Sequence, residues 1–448
     1  MIGDARSSGF LPPELAAHVA WDPAADGTPA PGLDDSIGVL LSGGVDSSVA
    51  LSRLVAAGYR NVSAWYLKIW LEDELISLGQ CPWEEDLAYA RAVCSSLGVR
   101  LNVVSLQMEY YDRVVDYTIK ELRAGRTPSP DIFCNQRVKF GAFLERVGER
   151  VEWVASGHYG RVVPAPGRGG HAAVSPGGDG DPNRIAHRPG ADSGNSERVH
   201  LYRACDPVKD QSYFLSHLSQ EQLSRLLFPL GALPKREVRR LADRLRLANR
   251  NRPDSQGICF LGKIRYPDFV RHYLGERDGR IVDRESGRVL GRHRGYWFYT
   301  IGQRQGLGLS GGPWYVTGKD IEENVVFVTH GDHVGDSAPD IVRLEELHWI
   351  GSPPARPGEG ELSVKLRHGP KRIACSAAGF DSEGRRSDEL GAAHHITLKL
   401  EEPDRGVAPG QFGVLYSGER CLGAGRIAAG EVAGSSNMVH YGERGAPA

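Results

Sequence analysis

A short apolar run that leads directly into a loop of glycine and serine is the feature that most constrains this chain. Residues 37–41 read Ile-Gly-Val-Leu-Leu, and residues 42–48 read Ser-Gly-Gly-Val-Asp-Ser-Ser. Apolar side chains from Val49 to Val55 then recur at helical spacing. This order of strand, loop and helix predicts an anion site, because glycine lets backbone N–H groups face a phosphate and a helix N-terminus attracts negative charge.

The residues of the loop narrow the kind of nucleotide site. The loop matches neither the Gly-x-x-x-x-Gly-Lys-Ser/Thr pattern of P-loop enzymes nor the Gly-x-Gly-x-x-Gly pattern of dinucleotide folds. Asp46 lies among the predicted phosphate donors, which predicts a Mg²⁺ ion that screens its charge. From the residues alone, a plain Ser/Gly turn that caps a helix is the alternative.

Strands and helices are predicted to alternate over the next hundred residues. After the first strand and helix, the predicted elements are a strand at 62–67, a helix at 84–97, a strand at 101–106, helices at 109–123 and 135–150, and a strand at 151–155. Such alternation predicts an α/β fold with a doubly wound parallel sheet.

Shifts in composition predict how the rest of the chain divides. Short alternating segments beyond residue 280, among them 296–300, predict strands. The predicted parts are a disordered tail over 1–35, an α/β catalytic domain over 36–212 with a Gly/Pro-rich disordered insertion at 164–199, a small helical domain over 213–280, a C-terminal antiparallel β-barrel domain over 281–430 and a tail over 431–448.

Composition excludes several classes of protein. The formal net charge of −2 excludes a polybasic protein, and no apolar run reaches the ~20 residues that span a bilayer. Basic residues concentrate in 235–252, where eight Lys and Arg predict contacts with RNA phosphates; a solvated helix face is the alternative. The seven cysteines and the absence of a secretory signal predict a reducing compartment.

Two cysteines lie in loops that are rich in turn residues. The proline-containing segment Gly125–Cys134 predicts a rigid loop that places Cys134 near a helix N-terminus, where a thiolate is favoured. Cys259 lies in the segment Asp254–Phe260, directly after the basic stretch. A buried, structural cysteine is the alternative for either residue.

The glycine loop resembles the pyrophosphate-binding loop of the ATP-pyrophosphatases, which split ATP between its α and β phosphates. Seven motifs in one order extend the resemblance to the tRNA 2-thiouridylase family, in its cyanobacterial and plastid branch. These motifs are Ser-Gly-Gly-Val-Asp-Ser at 42–47, Gly-Arg-Thr-Pro-Ser-Pro-Asp-Ile-Phe-Cys-Asn at 125–135, Gly-His-Tyr at 157–159, Lys-Asp-Gln-Ser-Tyr-Phe at 209–214, Ser-Gln-Gly-Ile-Cys-Phe at 255–260, Thr-Ile-Gly-Gln-Arg at 300–304 and Gly-Val-Ala-Pro-Gly-Gln at 406–411.

The resemblance implies a tRNA-uridine 2-sulfurtransferase. Such an enzyme uses ATP to adenylate the C2 oxygen of the wobble uridine and replaces that oxygen with persulfide sulfur, giving 2-thiouridine. Cys134 corresponds to the family's nucleophile and Cys259 to its persulfide carrier, and the two would form a transient disulfide. Asp131 is the candidate general acid and base.

The resemblance also implies two sets of ligand-binding residues. At Ser129 the family commonly has Asn; Ser keeps a hydrogen-bonding side chain, but a shorter one, to contact the target base. The implied ATP-binding residues are Leu41, Ser42, Gly43, Gly44, Val45, Asp46, Ser47, Ser48, Leu67 and Gly157. The implied tRNA-binding residues are Ser129, Pro130, Asp131, His158, Lys209, Asp210, Gln211, Arg367, His368 and Gln411.

The implied partners follow from the same resemblance. They are ATP with Mg²⁺, the anticodon arm of a tRNA, and a sulfur-relay protein or cysteine desulfurase that supplies persulfide sulfur; no resident metal, DNA or membrane is expected. A monomer in the cytoplasm is expected, or in the chloroplast stroma or mitochondrial matrix of a eukaryote. Two alternatives stay open: another ATP-pyrophosphatase, such as tRNA lysidine synthetase or an amidotransferase-type synthetase, and an RNA-binding module without catalysis.

Overall fold

The structure is a computed structural model that describes residues 11–69, 83–165, 199–254, 265–333, 338–351, 361–378 and 395–429. Within those ranges no helix combines the length and the apolar character needed to cross a membrane. The helices are α1 Pro13–Val19, α2 Pro23–Asp26, α3 Val45–Ala56, α4 Trp83–Leu97, α5 at 107–123, α6 at 130–147, α7 Ser212–Leu215, α8 Gln220–Leu223, α9 Lys235–Arg244 and α10 Tyr266–Leu274.

Three β-sheets account for the strands. The strands are β1 Ile37–Leu40, β2 Val62–Lys68, β3 Arg100–Ser105, β4 Trp153–Ser156, β5 Arg161–Pro164, β6 Val199–Tyr202, β7 Leu226–Leu227, β8 Gly279–Asp283, β9 Val289–His293, β10 Trp314–Asp320, β11 Val325–His330, β12 Ile341–Trp349, β13 Leu362–Lys365, β14 Ile373–Ala378, β15 His395–Leu400, β16 Phe412–Ser417 and β17 Arg420–Ile427.

The first sheet is parallel, with the strand order β3-β2-β1-β4-β7. Ile37 at the start of β1 pairs with Val62 on one side and with Trp153 on the other. All four residues of β1 are buried, because helices and their apolar side chains cover both faces of the sheet. The predicted doubly wound α/β fold is confirmed, and β1 lies at its centre, where the strand order reverses.

The other two sheets form the second half of the chain. Strands β8 to β11 make a four-stranded sheet in the order β10-β11-β8-β9. Strands β12 to β17 make an antiparallel sheet that closes into a six-stranded barrel, since β12 pairs with both β15 and β17. The hairpin β5–β6 extends this sheet beyond β17. The predicted C-terminal barrel is therefore present, but the region 281–430 contains two β-units rather than one.

Three other predictions about the chain are corrected. The tail predicted over 1–35 is ordered from residue 11, because Val19 and Trp21 are buried against α3 and the Trp21 amide donates to the Arg53 carbonyl at 3.1 Å. The predicted boundary at 212/213 falls inside the first domain, since β7 extends the parallel sheet and α9 packs on α3. The strand predicted at 296–300 is a turn of 3-10 helix. The insertion lies outside the described residues from 166 to 198.

Candidate active site

The glycine loop joins the carboxyl end of β1 to the N-terminus of α3. Gly43 has φ +76°, and a Cβ atom there would lie 2.3 Å from the Asp86 carbonyl oxygen, so both the conformation and the space require glycine. The Ser47 hydroxyl accepts a hydrogen bond from the Ser42 amide at 3.2 Å and donates to the Gly44 carbonyl at 3.1 Å. These bonds hold the loop in a fixed turn before the helix begins.

The ends of three neighbouring strands meet around this loop. Gly157 follows β4, and a Cβ atom there would lie 2.7 Å from the Ser47 nitrogen, so its backbone lies directly against the first turn of α3. Leu67 lies near the carboxyl end of β2 and is half-buried. Open parallel sheets bind ligands in such a crevice, where the strand order reverses. The structure therefore brings the predicted ATP-binding residues together.

The charge of Asp46 is balanced by a lysine from α9. Lys235 Nζ lies 2.6 Å from Asp46 Oδ1, and the Tyr159 hydroxyl donates to the same oxygen at 2.9 Å. Lys235 also lies 2.9 Å from Asp254, which binds Lys209 at 2.6 Å. Burial alone would raise the pKa of Asp254, but the two ammonium groups hold it well below its usual value. Two protein groups thus bind one Asp46 oxygen, and the Mg²⁺ ion predicted beside this carboxylate stays a prediction.

Residues of the basic stretch also support the glycine loop from outside. The Asn249 side-chain amide, 1% exposed, donates to the Gly43 carbonyl at 2.8 Å and to the Ser48 hydroxyl at 2.9 Å. Arg252 donates to the Gly43 carbonyl at 3.2 Å and pairs with Asp86. Sequence reasoning missed these contacts because 235–252 was interpreted as an RNA surface. The exposed basic residues of the stretch are Arg236, Arg240, Arg244, Arg246 and Arg250.

The second predicted loop ends in a long helix. Helix α6 begins at Pro130, so Cys134 is its fifth residue, which confirms the predicted position near a helix N-terminus. Cys134 is only 1% exposed and packs in the core beneath the sheet. Its thiol therefore meets a substrate only inside the protein. Cys259 and the predicted disulfide with it lie outside the described residues.

The predicted base-contacting residues lie beside aromatic side chains of α7. The Tyr213 hydroxyl donates to the Phe412 carbonyl at 3.1 Å and lies beside the side chain of Ser129. His368 from the barrel stacks on Phe214 with ring centroids 4.5 Å apart. Burial lowers the pKa of His368, and the nearby charge of Asp131 opposes that change. Ser129, Asp131 and His368 are thus brought together from two parts of the chain.

Turns of the barrel contact the same loop. The Thr127 amide donates to the Pro409 carbonyl at 2.8 Å, which places the turn that ends at Gln411 beside the loop. Arg367 pairs with Asp404 at 2.6 Å and is half-exposed, so one face of its guanidinium remains open to solvent. The contacts of Arg367 and Gln411 with tRNA stay predictions.

The side chains of three predicted tRNA-binding residues have partners within the protein. The Asp210 carboxylate is fully buried between Lys365 at 2.8 Å and Arg203 at 3.0 Å, and its predicted contact with tRNA stays a prediction. Gln211 accepts a hydrogen bond from the Tyr159 amide at 2.9 Å. Lys209, as described above, pairs with Asp254. The segment 209–211 therefore joins the glycine loop to the barrel.

His158 connects the two loops. Its ring packs against Phe140 of α6, at 5.7 Å between centroids, and its Nδ1 lies 2.8 Å from the Ser156 hydroxyl. Burial lowers the pKa of His158 well below its usual value, so the ring is neutral. Because Gly157 touches α3 and His158 touches α6, the residues after β4 link the glycine loop to the helix that carries Cys134.

A HUP-type α/β domain followed by two β-domains is the class of protein that this fold and crevice define. The sequence matches the tRNA methyl transferase HUP domain family over 35–263, the tRNA methyl transferase PRC-barrel domain over 267–330 and the aminomethyltransferase beta-barrel domain over 340–427. These boundaries agree with the three sheets except at the hairpin β5–β6, which lies in the first range and pairs with the barrel, and they place the first division near residue 265 rather than 213.

Curated relatives narrow the class to one family. "tRNA-specific 2-thiouridylase MnmA 1" of Bacteroides thetaiotaomicron is 40% identical over 396 residues, covering 88% of this chain and 99% of that protein. "tRNA-specific 2-thiouridylase MnmA" of Parabacteroides distasonis is 40% identical, with 87% and 98% covered, and that of Porphyromonas gingivalis is 38% identical, with 88% and 99% covered. The chain belongs to the tRNA-specific 2-thiouridylase family. Its place in the cyanobacterial and plastid branch stays a prediction.

Proposed function

We propose that this protein is an ATP-dependent sulfurtransferase that converts the wobble uridine of tRNA to 2-thiouridine. The observation that carries the proposal is the link between the two loops through Gly157 and His158. It joins a crevice suited to ATP phosphates to the helix that begins at Pro130 and carries Cys134. The match to 2-thiouridylases over nearly their whole length supports the same activity.

The first step is adenylation of the uridine. The C2 oxygen attacks the α phosphate of ATP, and pyrophosphate leaves. Backbone N–H groups of the glycine loop and the N-terminus of α3 bind the pyrophosphate. The Lys235 ammonium lies at the edge of that loop and can exchange its carboxylate partners for phosphate oxygens. Asp46 and Asp254 hold the ammonium in place before ATP arrives.

The second step transfers sulfur. The outer sulfur of a persulfide on Cys259 adds to C2, giving a reversible adduct that still carries the adenylated oxygen. The Cys134 thiolate then attacks the inner sulfur and breaks the S–S bond; the outer sulfur stays on C2, and AMP departs with the C2 oxygen. A Cys134–Cys259 disulfide remains, and an external thiol must reduce it by two electrons. Asp131, three residues before Cys134, is proposed to move the protons.

Magnesium fits this site as the counterion of ATP. Within the described part of the chain, no group of three or more His, Cys, Asp or Glu side chains could hold a metal by itself. Asp46 has one carboxylate oxygen bonded to Lys235 and Tyr159, and the other can face a phosphate-bound ion. Mg²⁺ would neutralise phosphate charge there, while the side chains orient the nucleotide.

The exposed arginines of 235–252 and the barrel turns near Arg367 and Gln411 are proposed to bind the anticodon arm. A base can reach the buried Asp131–Cys134 region only after it leaves its stack, so the protein must bind an unstacked wobble uridine. We propose that a monomer does this and that a sulfur-relay protein or cysteine desulfurase loads the persulfide.

One experiment tests the proposal directly. Unmodified tRNA is incubated with the protein, ATP, Mg²⁺ and a persulfide donor, and its nucleosides are analysed by mass spectrometry. We expect 2-thiouridine at the wobble position and AMP release that depends on tRNA. ATP binding without any 2-thiouridine would contradict the proposal, and lysidine or an amidated product would favour another ATP-pyrophosphatase.

A further inference from the structure

Two side chains of the four-stranded sheet hold the backbone of the loop that leads to Asp131 and Cys134. The Tyr296 hydroxyl donates to the Arg123 carbonyl at 2.6 Å, and Lys319 Nζ donates to the Gly125 carbonyl at 3.0 Å. Both side chains come from the region 279–330, which contributes no residue to the implied ATP and tRNA sites. The role of this domain in the reaction is otherwise unassigned.

The Arg123 carbonyl belongs to the last residue of helix α5, and the Gly125 carbonyl lies two residues beyond it. The Arg126 amide donates to the Glu121 carbonyl, and the Gly125 amide donates to the Leu122 carbonyl, with Gly125 at φ +71°. This is a Schellman ending, which satisfies the Glu121 and Leu122 carbonyls but not the Arg123 carbonyl. Tyr296 binds that last carbonyl from another domain, and Lys319 binds the carbonyl of the glycine that closes the motif.

The packing around Gly125 leaves the loop little freedom. A Cβ atom at Gly125 would lie 2.8 Å from the end of the Ile321 side chain. On the other side, the Thr127 amide is bonded to Pro409 of the barrel. The loop is therefore held between the two β-domains over 123–127, immediately before Ser129 and Asp131.

We propose that Tyr296 and Lys319 are positioning residues for sulfur transfer, which fix the Asp131–Cys134 segment by holding the Arg123 and Gly125 carbonyls. The inference rests on the proposed function. A displacement of a reacting group by about 1 Å can lower a rate by about a hundredfold, so a loose loop would slow chemistry without weakening binding. Burial lowers the pKa of Lys319 to about 8, which agrees with an amine held against backbone rather than in water.

The test compares Tyr296→Phe and Lys319→Met with Lys120→Met, a control on the exposed side of the same helix α5. Single-turnover thiolation is measured with persulfide-loaded protein, together with the KM for ATP and the Kd for tRNA. We expect the rate to fall at least tenfold in both variants, with KM and Kd within twofold of the wild type. Lys319→Arg should restore most of the rate, since it keeps a charged donor.

A second measurement does not depend on activity. The rate at which iodoacetamide alkylates Cys134, followed by peptide mass spectrometry, should rise at least fivefold in Tyr296→Phe and Lys319→Met and stay unchanged in Lys120→Met. Unchanged thiolation and alkylation rates would overturn the inference, as would a rate loss matched by an equal loss of tRNA affinity. Failure of the wild type to thiolate tRNA would overturn the proposed function instead, while the alkylation rates still test the positioning role.

Discussion

Lys235 Nζ lies 2.6 Å from Asp46 Oδ1, although 189 residues separate the two in sequence. The contact places the first residue of helix α9 at the glycine loop and assigns part of the basic stretch to the nucleotide site. The other basic side chains of 235–252 divide into two groups. Arg239 and Arg252 make ion pairs near the loop, whereas others, such as Arg244, are exposed.

This division predicts opposite effects of two charge-removing substitutions. Lys235→Gln should raise the KM for ATP at least about tenfold, because a buried charge–phosphate contact is worth more than about 1.4 kcal/mol, and should leave the Kd for tRNA within twofold. Arg244→Gln should weaken tRNA binding severalfold and leave the KM for ATP unchanged. Pyrophosphate release measures the KM for ATP, and filter binding measures the Kd for tRNA. Loss of tRNA affinity in Lys235→Gln with intact ATP kinetics would contradict this assignment.

Substitution of each of the two cysteines should make a different intermediate accumulate. Cys259→Ser should carry no persulfide but still adenylate tRNA, because the glycine loop is intact. Cys134→Ser should load persulfide and then stall with adenylated tRNA, since no thiolate attacks the inner sulfur. Mass spectrometry of protein and tRNA after incubation with donor and ATP measures both species. Cys94→Ser, a buried cysteine of α4, is the control and should behave as the wild type. Reversed phenotypes would mean that the roles are exchanged.

The insertion between β5 and β6 should be dispensable. Pro164 pairs with Val199 across the hairpin, so a short turn can join the two strands without strain in the barrel. Replacing 166–198 with four Gly/Ser residues should keep thiolation within twofold and the Tm within about 2 °C, because each doubling of loop length costs only about 0.6 kcal/mol. A scrambled segment of the same length is the control. A large loss of activity in both variants with an unchanged Tm would show that the native segment recognises a ligand or partner.

Sequence reasoning predicted the parts whose signal is local. The strand before Ser42 is apolar on both faces and is followed by glycine, so the sheet and its loop could be recognised together. Strand β7 consists only of Leu226 and Leu227, too few residues to show a period, so its domain boundary was misplaced. Helix α1 has only seven residues and begins at a proline, so its sequence gives a weak helical signal. The sequence also does not show that Trp21, just after this helix, is buried and holds it in place.

The candidate site, like the fold, was predictable only where its residues are close together in sequence. The loops at 42–48 and 125–134 are continuous in sequence, so their chemistry could be inferred from their residues. The partners that complete them come from far along the chain: Asn249 reaches Gly43 across 206 residues, and Tyr296 reaches Arg123 across 173. No short motif records such pairs, because a single amide or hydroxyl serves equally well as a surface residue.

Acid should destabilise the protein through a buried imidazole that packs beside helix α6. His217 stacks on His348 at 5.3 Å and packs against Phe133, the residue before Cys134. Burial lowers the pKa of His217 from 6.5 to about 3. Between these values the unfolded chain binds a proton that the folded protein does not, so stability falls as the pH decreases below 6.5.

The free energy of unfolding should be about 2 kcal/mol lower at pH 5 than at pH 7.5, because one group contributes about 1.36 kcal/mol per pH unit below 6.5. His217→Phe keeps an aromatic ring in the cluster and should lose that part of the pH dependence. Urea unfolding at the two pH values measures it. His395→Phe, at an exposed position of β15, should lose the same free energy of unfolding between the two pH values as the wild type does. Equal acid sensitivity in His217→Phe and the wild type would show that other groups are responsible.

The hairpin β5–β6 has a consequence for biosynthesis. Tyr202 pairs with Arg420, so an edge made early in translation finds its partner only when the last barrel strand leaves the ribosome. At 5–20 residues per second that interval is about 10 to 40 s. During it, the nascent chain presents an unpaired strand edge at β6, most of whose residues are buried in the folded protein, and such an edge can pair with a strand of a neighbouring nascent chain. Ribosomes spaced closely on one message would therefore place unfinished copies at risk of strand exchange.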